Sequence, residues 1–339
     1  MRSLWVVIIR RMIRLVPTMF GVAFIVFMLM HLAPGDPIEL MMGEAGHVTK
    51  EEIEALRREY GLDRPLHEQF LRFIAHAARG DFGRSFSKQR PVISLIKSRL
   101  PATVELSLVS FALAVAVSIP LGVLSAVYRG SIFDRIVTLL SLGGISFPSF
   151  YLGIVLILIF GVTLEMLPIS GRSTYGEEPV RITGFYLIDS LITGNLRAFI
   201  STLRHLILPA LTLGGMAVAV TVRMVRANMI EVLEQDYIRT ARAKGLPEWK
   251  VVMKHGLKNA LIPTVSVLGL QIGVLLSGNM IVETVFSWPG LGSLAVEGIY
   301  ARDYPLVQGI VMIYAATYVF VNLAVDILYT WLNPRVEVT

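Results

Sequence analysis

Residues 235–263 read QDYIRTARAKGLPEWKVVMKHGLKNALIP, a basic and helix-permissive segment with Gly245-Leu246-Pro247 at its centre. The uncharged run LILPALTLGGMAVAVTV (206–222) precedes it, and NALIPTVSVLGLQIGVLLSGNMIV (259–282) overlaps its end and continues beyond it. A handful of residues would suffice to join two membrane spans, so a polar connection of this length calls for a role. That role depends on what the rest of the chain is.

Hydrophobic residues make up 54% of the 339 positions and charged residues 17%, against about 25% charged in soluble domains. Mean hydropathy is +0.66. The chain has no cysteine, which excludes a disulfide framework, a zinc–thiolate site and a thiol nucleophile. The net charge of +6 does not point to nucleic acid in so apolar a chain. It fits Arg and Lys residues flanking membrane spans on their cytoplasmic side.

Uncharged runs long enough to cross a bilayer occur at 15–33, 106–128, 136–164, 259–282 and 304–325, with the shorter 206–222 as a sixth. The pattern predicts an all-α integral membrane protein with six transmembrane helices. Pro120, Pro148, Pro209, Pro263, Gly143 and Gly144 lie inside these runs, where spans tolerate them if neighbouring helices satisfy the backbone. Ser146-Phe147-Pro148-Ser149-Phe150 reads as a kink in the third span, either a plain bend or a hinge that lines a path.

Arg2, Arg10, Arg11 and Arg14 precede the first span, and eight Arg or Lys residues lie in 223–261, whereas 283–303 holds only Arg302. The positive-inside rule puts both termini and the 223–261 loop in the cytoplasm. The first span is too long for a signal-peptide h-region and reads as an uncleaved anchor. The chain then divides into a cytoplasmic N-terminus with the first span (1–33), an external helical segment (34–105), a five-helix core (106–332) and a cytoplasmic C-terminus (333–339).

In the external segment, Thr49-Lys50-Glu51-Glu52 is a capping box for a helix over about 50–60 ending at Gly61. A second helix starts with Pro65 at its first position and ends at Gly80, with Leu66, Phe70, Phe73, Ile74 and Ala77 on one face. The pair forms a helical cap or a docking site for a soluble partner. The loop 283–303 carries the turn Trp288-Pro289-Gly290, and its aromatic residues suit the membrane interface.

No phosphate-binding G-x-x-x-x-G-K-[ST] loop occurs, and no metalloprotease, nucleophile-elbow or EF-hand pattern. The six histidines form no i, i+4 pair, so metal ligation is not indicated. Ion-coupled transporters keep ionisable groups near mid-bilayer. Here Glu105, Glu283 and Asp326 fall at span ends within reach of water, and the interiors carry neutral Ser146, Gln271, Ser277 and Asn279. Together with Phe147 these are the candidates for a translocation path. A secondary transporter would also need repeats that the chain does not display. Uphill transport therefore needs energy from outside the membrane.

The 235–263 stretch is the candidate point of entry. Asp236 can cap a helix, on which Tyr237, Thr240, Ala241 and Lys244 share a face. Gly245 can end it in the left-handed conformation, and Pro247 can start a second short helix at its first position, with Glu248 at the positive end. Thr240, Ala241 and Ala243 are small enough to sit deep in a groove, while Arg239, Arg242 and Lys244 can pair with acidic rims. Lying on anionic lipid is the alternative for so basic a helix.

Here the chain resembles the permease subunits of binding-protein-dependent ABC importers, in their dipeptide/oligopeptide branch. Asp236-Tyr237-Ile238-Arg239-Thr240-Ala241-Arg242-Ala243-Lys244-Gly245-Leu246 is similar to that branch's cytoplasmic signature loop. The general family pattern is Glu-Ala-Ala, three residues, Gly, nine residues, Ile-x-Leu-Pro. Gly245 and Leu257 match it, Ala241 keeps the second Ala, Arg239 and Thr240 replace Glu and the first Ala, and His255 and Lys258 replace Ile and Pro. Pro34-Gly35-Asp36-Pro37, Gly61-Leu62-Asp63-Arg64-Pro65, Leu100-Pro101-Ala102-Thr103, Gly130-Ser131-Ile132-Phe133-Asp134, Phe286-Ser287-Trp288-Pro289-Gly290-Leu291-Gly292 and Asn333-Pro334-Arg335 extend the similarity along the chain.

The resemblance implies the type I ABC importer permease fold, set in a bacterial inner membrane. It implies a second, related permease subunit, two cytoplasmic ATPase subunits and an external solute-binding protein. The chain would carry no cofactor and no catalytic residue; ATP and Mg would sit on the ATPases. Residues 236–246 would form the coupling helix. Di- or oligopeptides are the implied substrates, with nickel, glutathione or another small solute as alternatives.

Overall fold

The structure is a computed structural model that describes residues 4–32, 54, 58 and 63–332. The capping box at 49–52, Gly61, the Pro34–Pro37 and Asn333–Arg335 motifs and both chain ends lie outside the described residues. So does the helix expected over 50–60, apart from helical Glu54 and Arg58.

Every regular element among the described residues is a helix, and one isolated bridge joins Arg84 to Pro91. In chain order the helices are α1 (Leu4–Leu32), α2 (Leu66–Ala77), α3 (Val92–Val127), α4 (Ile132–Ser146) and α5 (Ser149–Thr163, its second half π-helical). They continue with α6 (Tyr186–Ile192), α7 (Leu196–Leu233), α8 (Asp236–Ala243), α9 (Glu248–Leu276), α10 (Met280–Val285), α11 (Leu291–Tyr300) and α12 (Tyr304–Leu332).

Four described segments are long and apolar enough to cross a membrane: α3, α7, α9 and Tyr304–Val325 of α12. The pair α4–α5 makes a fifth if taken as one broken span, and Leu15–Leu29 of α1 is a shorter apolar stretch. The kink expected at 146–150 is a break in which Ile132–Gly144 and Ser149–Thr163 diverge by 112°. Pro148, extended at φ −57° and ψ 138°, starts α5 and cannot continue α4.

Two runs are longer than their apolar cores suggested. The helix expected from 106 begins at Val92, and the short run 206–222 lies within the 38-residue α7. Packing explains both. α3 and α7 lie along each other more extensively than any other pair, so polar residues such as Thr103, Ser107, Ser201 and Thr202 are buried between helices.

Among the buried clusters that hold the bundle, three mark its ends and its edge. Ala102 and Leu106 of α3 meet Leu206, Leu208, Ala210 and Leu213 of α7 and Phe286 and Trp288. Val123 and Ala126 meet Val225, Met229, Val252 and Ala260 at the opposite end. Ala23 and Phe27 of α1 meet Phe70 of α2 and Met312 of α12. Gly122 permits a close approach of α3 to α7, since an added Cβ would lie 2.7 Å from that of Val225.

α2 forms as expected, with two corrections. Pro65 is its cap, one residue before the first helical position, and of the expected face Phe70, Phe73, Ile74 and Ala77 turn inward while Leu66 is exposed.

Candidate functional site

α8 starts at Asp236, but its cap is Gln235, so Asp236 is the first helical residue. There its carboxylate faces the helix's positive end and lies 3.4 Å from Arg239. Gly245 has φ +74°, the left-handed conformation that only glycine adopts without cost. The Gly245 amide donates to the Arg242 carbonyl at 2.9 Å and the Leu246 amide to that of Ala241 at 3.4 Å, closing the helix.

Pro247, extended at φ −63° and ψ 142°, caps the next helix instead of opening it. That helix is not short. It runs as α9 from Glu248 through a π-helical stretch at Val251–Leu257 to Leu276. The corner therefore stands directly on the base of a long apolar helix.

Burial divides the corner into a footing and a face. Ile238 and Ala241 are buried with Val251 and pack against Leu233 and Leu246. Ala241, expected on the outward face with Tyr237, Thr240 and Lys244, thus points inward. Asp236, Tyr237, Arg239, Thr240, Arg242, Ala243, Lys244 and Gly245 are exposed. Two side-chain links brace the turn: Arg242 donates to both Glu248 oxygens at 3.1 and 2.7 Å, and the Asn259 amide donates to the Tyr237 hydroxyl at 3.0 Å.

The neighbouring 128–134 connection is tied to the same end of α7. Arg129 lies 3.0 Å from Glu234. Arg226 donates to both oxygens of buried Asp134 at 2.6 and 2.8 Å, and Asp134 also accepts from the Gly130 amide at 2.9 Å. Side-chain bonds thus tie the ends of α3, α4, α7 and α9 to one another and to α8.

The path candidates separate. Ser146 and Phe147 are exposed at the α4–α5 break; the Ser146 hydroxyl donates to the Leu142 carbonyl at 2.8 Å, and the Phe147 ring stacks on Tyr151 at 5.6 Å. Gln271 faces α7, accepting from Thr221 at 3.4 Å. Ser277 and Asn279 are not inside a span: α9 ends at Leu276, Gly278 turns the chain at φ +86°, and Asn279 caps α10 through the Val282 amide.

At this far end the sequence concealed a polar core. Glu105 and Glu283, expected where water reaches, are only 4% and 1% exposed. Glu105 accepts two bonds from buried Arg172 at 3.1 and 2.6 Å and one from the Leu187 amide at 2.8 Å. Arg172 also donates to the Gly184 carbonyl and lies over the Tyr186 ring at 3.8 Å. Glu283 accepts from the Thr103 hydroxyl at 2.7 Å and the Ser293 amide at 3.0 Å. Trp288, assigned to the membrane interface from its type, is fully buried, its indole N–H donating to the Ala102 carbonyl at 2.9 Å. The 283–303 connection is therefore a folded element, α10–turn–α11, seated on α3. The aromatic and glycine content of 286–292 was the one local sign of it.

Among the described residues, no group of three or more His, Cys, Asp or Glu lies close enough to hold a metal ion.

The family described as "Binding-protein-dependent transport system inner membrane component" matches residues 118–338, and "Binding-prot-dependent transport system membrane comp, N-term" matches residues 4–107. The chain is 46% identical over 332 residues to the di/tripeptide transport system permease protein of Pseudomonas aeruginosa (strain UCBPP-PA14), covering 97% of this chain and 98% of that one. It is 45% identical over 333 residues to the dipeptide transport system permease protein of Escherichia coli (strain K12), with coverage of 97% and 98%. To the glutathione transport system permease protein of the same strain it is 40% identical over 330 residues, again with 97% and 98% covered. Near-full-length matches of this strength, over a bundle of apolar helices with a braced polar corner, place the chain in the binding-protein-dependent ABC importer permeases, in their dipeptide/oligopeptide branch.

Proposed function

We propose that the chain is the membrane permease subunit of an ATP-driven importer that passes di- or oligopeptides from an external binding protein into the cytoplasm. It is not catalytic by itself. The observation that carries this reading is the corner at 235–250, an exposed, partly basic face on a buried apolar footing at the shared ends of α7 and α9. Such a knob transmits a push into two long helices at once. Its face has Arg239 and Lys244 for an acidic rim and Ala243 for a shallow fit.

In this reading α8 with Gly245 and Leu246 is the coupling helix. Two cytoplasmic ATPase subunits, holding ATP and Mg, grip it; a second, related permease completes the channel, and an external solute-binding protein delivers the peptide. Closure of the ATPases would rock the α7–α9 block and open the path inward. The chain would span a bacterial inner membrane six times with both termini in the cytoplasm. Ser146, Phe147 and Gln271 would line the path, and Ser277 and Asn279 its outer end. Residues 34–105 and 283–303 would face outward.

Affinity purification in mild detergent tests the assembly: recovery of the chain without any ATPase subunit overturns it. Uptake of radiolabelled dialanine by cells carrying the whole system, with unlabelled glutathione and nickel as competitors, tests the substrate. Dialanine uptake that resists both competitors supports peptides, and its absence overturns them.

A further inference from the structure

A cavity of about 450 Å³ opens between the 165–177 connection and the first turns of α7, within the range of about 300–1,000 Å³ usual for small-molecule sites. Its walls carry opposite charges. Arg197, Ser201, Arg204 and His205 line the helix side, recurring at helical spacing. Glu165 and Glu177 line it from the connection.

Some of these groups are already engaged. Arg204 donates to the Met166 carbonyl at 2.8 Å, and Ser201 and Thr174 bond each other through the Thr174 amide at 2.9 Å and the Ser201 hydroxyl at 3.1 Å. The rest are free. Among the described residues, no hydrogen bond or ion pair engages the Arg197 guanidinium or the Glu165 and Glu177 carboxylates.

His205 is the most informative, at 7% exposed. Its Nδ1 lies 2.8 Å from the Ser201 carbonyl, which can only accept, so Nδ1 donates there and in the neutral ring Nε2 is the acceptor. No protein donor among the described residues meets Nε2 at the cavity wall. Nε2 opens onto the cavity, where a ligand N–H or water can reach it. The positive end of α7, capped by Asn195, adds to the pull of Arg197 on an anion.

We propose that this cavity binds a short zwitterionic peptide, its carboxylate on Arg197, its ammonium between Glu165 and Glu177, and one of its N–H groups on His205 Nε2. A ligand of a single charge would satisfy one wall and leave the other unpaired, so the site discriminates by both termini. The inference deepens the importer reading and rests on it: the permease itself, and not only the binding protein, would select for free peptide ends.

The test uses the full chain in lipid nanodiscs and radiolabelled dialanine. The expected result is saturable binding, against which N-acetyl-dialanine (anion only) and dialanine amide (cation only) each compete at least about tenfold more weakly. Arg197→Ala should weaken binding of dialanine and N-acetyl-dialanine alike by about tenfold or more. Glu177→Gln should weaken dialanine by a similar factor and leave N-acetyl-dialanine unchanged. Absence of saturable binding, equal competition by the blocked peptides, or no effect of Arg197→Ala overturns the site. The competition needs no variant, so a misfolded substitution leaves the test intact. Dialanine uptake by cells carrying the whole system separates the two readings: uptake without binding to this chain overturns the site alone, and binding without uptake overturns the transport reading alone.

Discussion

Arg242 and Glu248 face each other across the Gly245–Pro247 turn, the guanidinium donating to both carboxylate oxygens at 3.1 and 2.7 Å. The pair joins the last turn of α8 to the first of α9 and braces the corner between them. Both side chains are half exposed, so the pair contributes no more than about 1 kcal/mol to stability. Its effect should appear in force transmission. Arg242→Glu is expected to leave membrane insertion unchanged, lower dialanine uptake and leave ATP hydrolysis running, and Arg242→Glu with Glu248→Arg to restore uptake. The ratio of transport to hydrolysis in proteoliposomes checks it.

Gly245 offers a cleaner backbone test. An added Cβ there meets nothing within 4 Å, so substitution acts through φ +74° alone. Gly245→Ala should cost about 1–2 kcal/mol, Gly245→Asn less, and Gly245→Pro, with φ locked near −65°, should uncouple the complex. Arg239→Glu reverses charge on the exposed face and should also uncouple it. Normal uptake by Gly245→Pro and Arg239→Glu together would refute the role of the corner.

The Glu105–Arg172 pair is a stability element. Removing one partner strands a buried charge, so Arg172→Met should destabilise by about 3–5 kcal/mol, and Arg172→Met with Glu105→Leu by much less. Thermal unfolding in detergent checks the order of the three proteins.

Gly290 lies against the Glu283 carboxylate, and a Cβ built on it would overlap those oxygens. Gly290→Ala should cost about 1–3 kcal/mol through overpacking. Glu283→Ala should cost a similar amount by orphaning the Thr103 hydroxyl and the Ser293 amide. Faster tryptic cleavage within 286–303 in both variants is the readout.

Asp189 supplies a pH dependence. Burial opposes its ionisation, but the Thr183 hydroxyl and the Thr183, Ile182 and Gly184 amides outweigh it and hold the carboxyl below its usual range. A depressed folded-state value contributes stability that is present above the unfolded value, about pH 3.9, and is lost as pH falls through the folded one. Thermal stability should therefore fall below about pH 4, and Asp189→Asn should flatten that limb while lowering stability at pH 7.

Local rules made the helical class, the break at Pro148 and the Gly245 turn legible in the sequence. Each depends on residues within a few positions of one another: an apolar run, a ring that fixes φ, a missing Cβ. The same reasoning misplaced Pro65, Asp236 and Pro247 by one position, because cap and first turn differ only in backbone angles that residue type does not specify. It turned Ala241 outward because helical spacing defines faces without saying which one has a neighbour.

What only the tertiary structure decided is where the charges go. Glu105 and Arg172 are 67 positions apart and Thr103 and Glu283 are 180 apart, so no local window pairs them. Composition alone puts a carboxylate at a span end in water. The fold instead wraps 172–187 and 283–293 over the end of α3, and burial there is tolerable because each carboxylate meets cation, hydroxyl or amide donors. The sequence by itself thus determined a bundle of apolar helices with a rigid polar corner. The tertiary structure decided which charges are sealed inside it and which, in the cavity beside His205, are left open to a ligand.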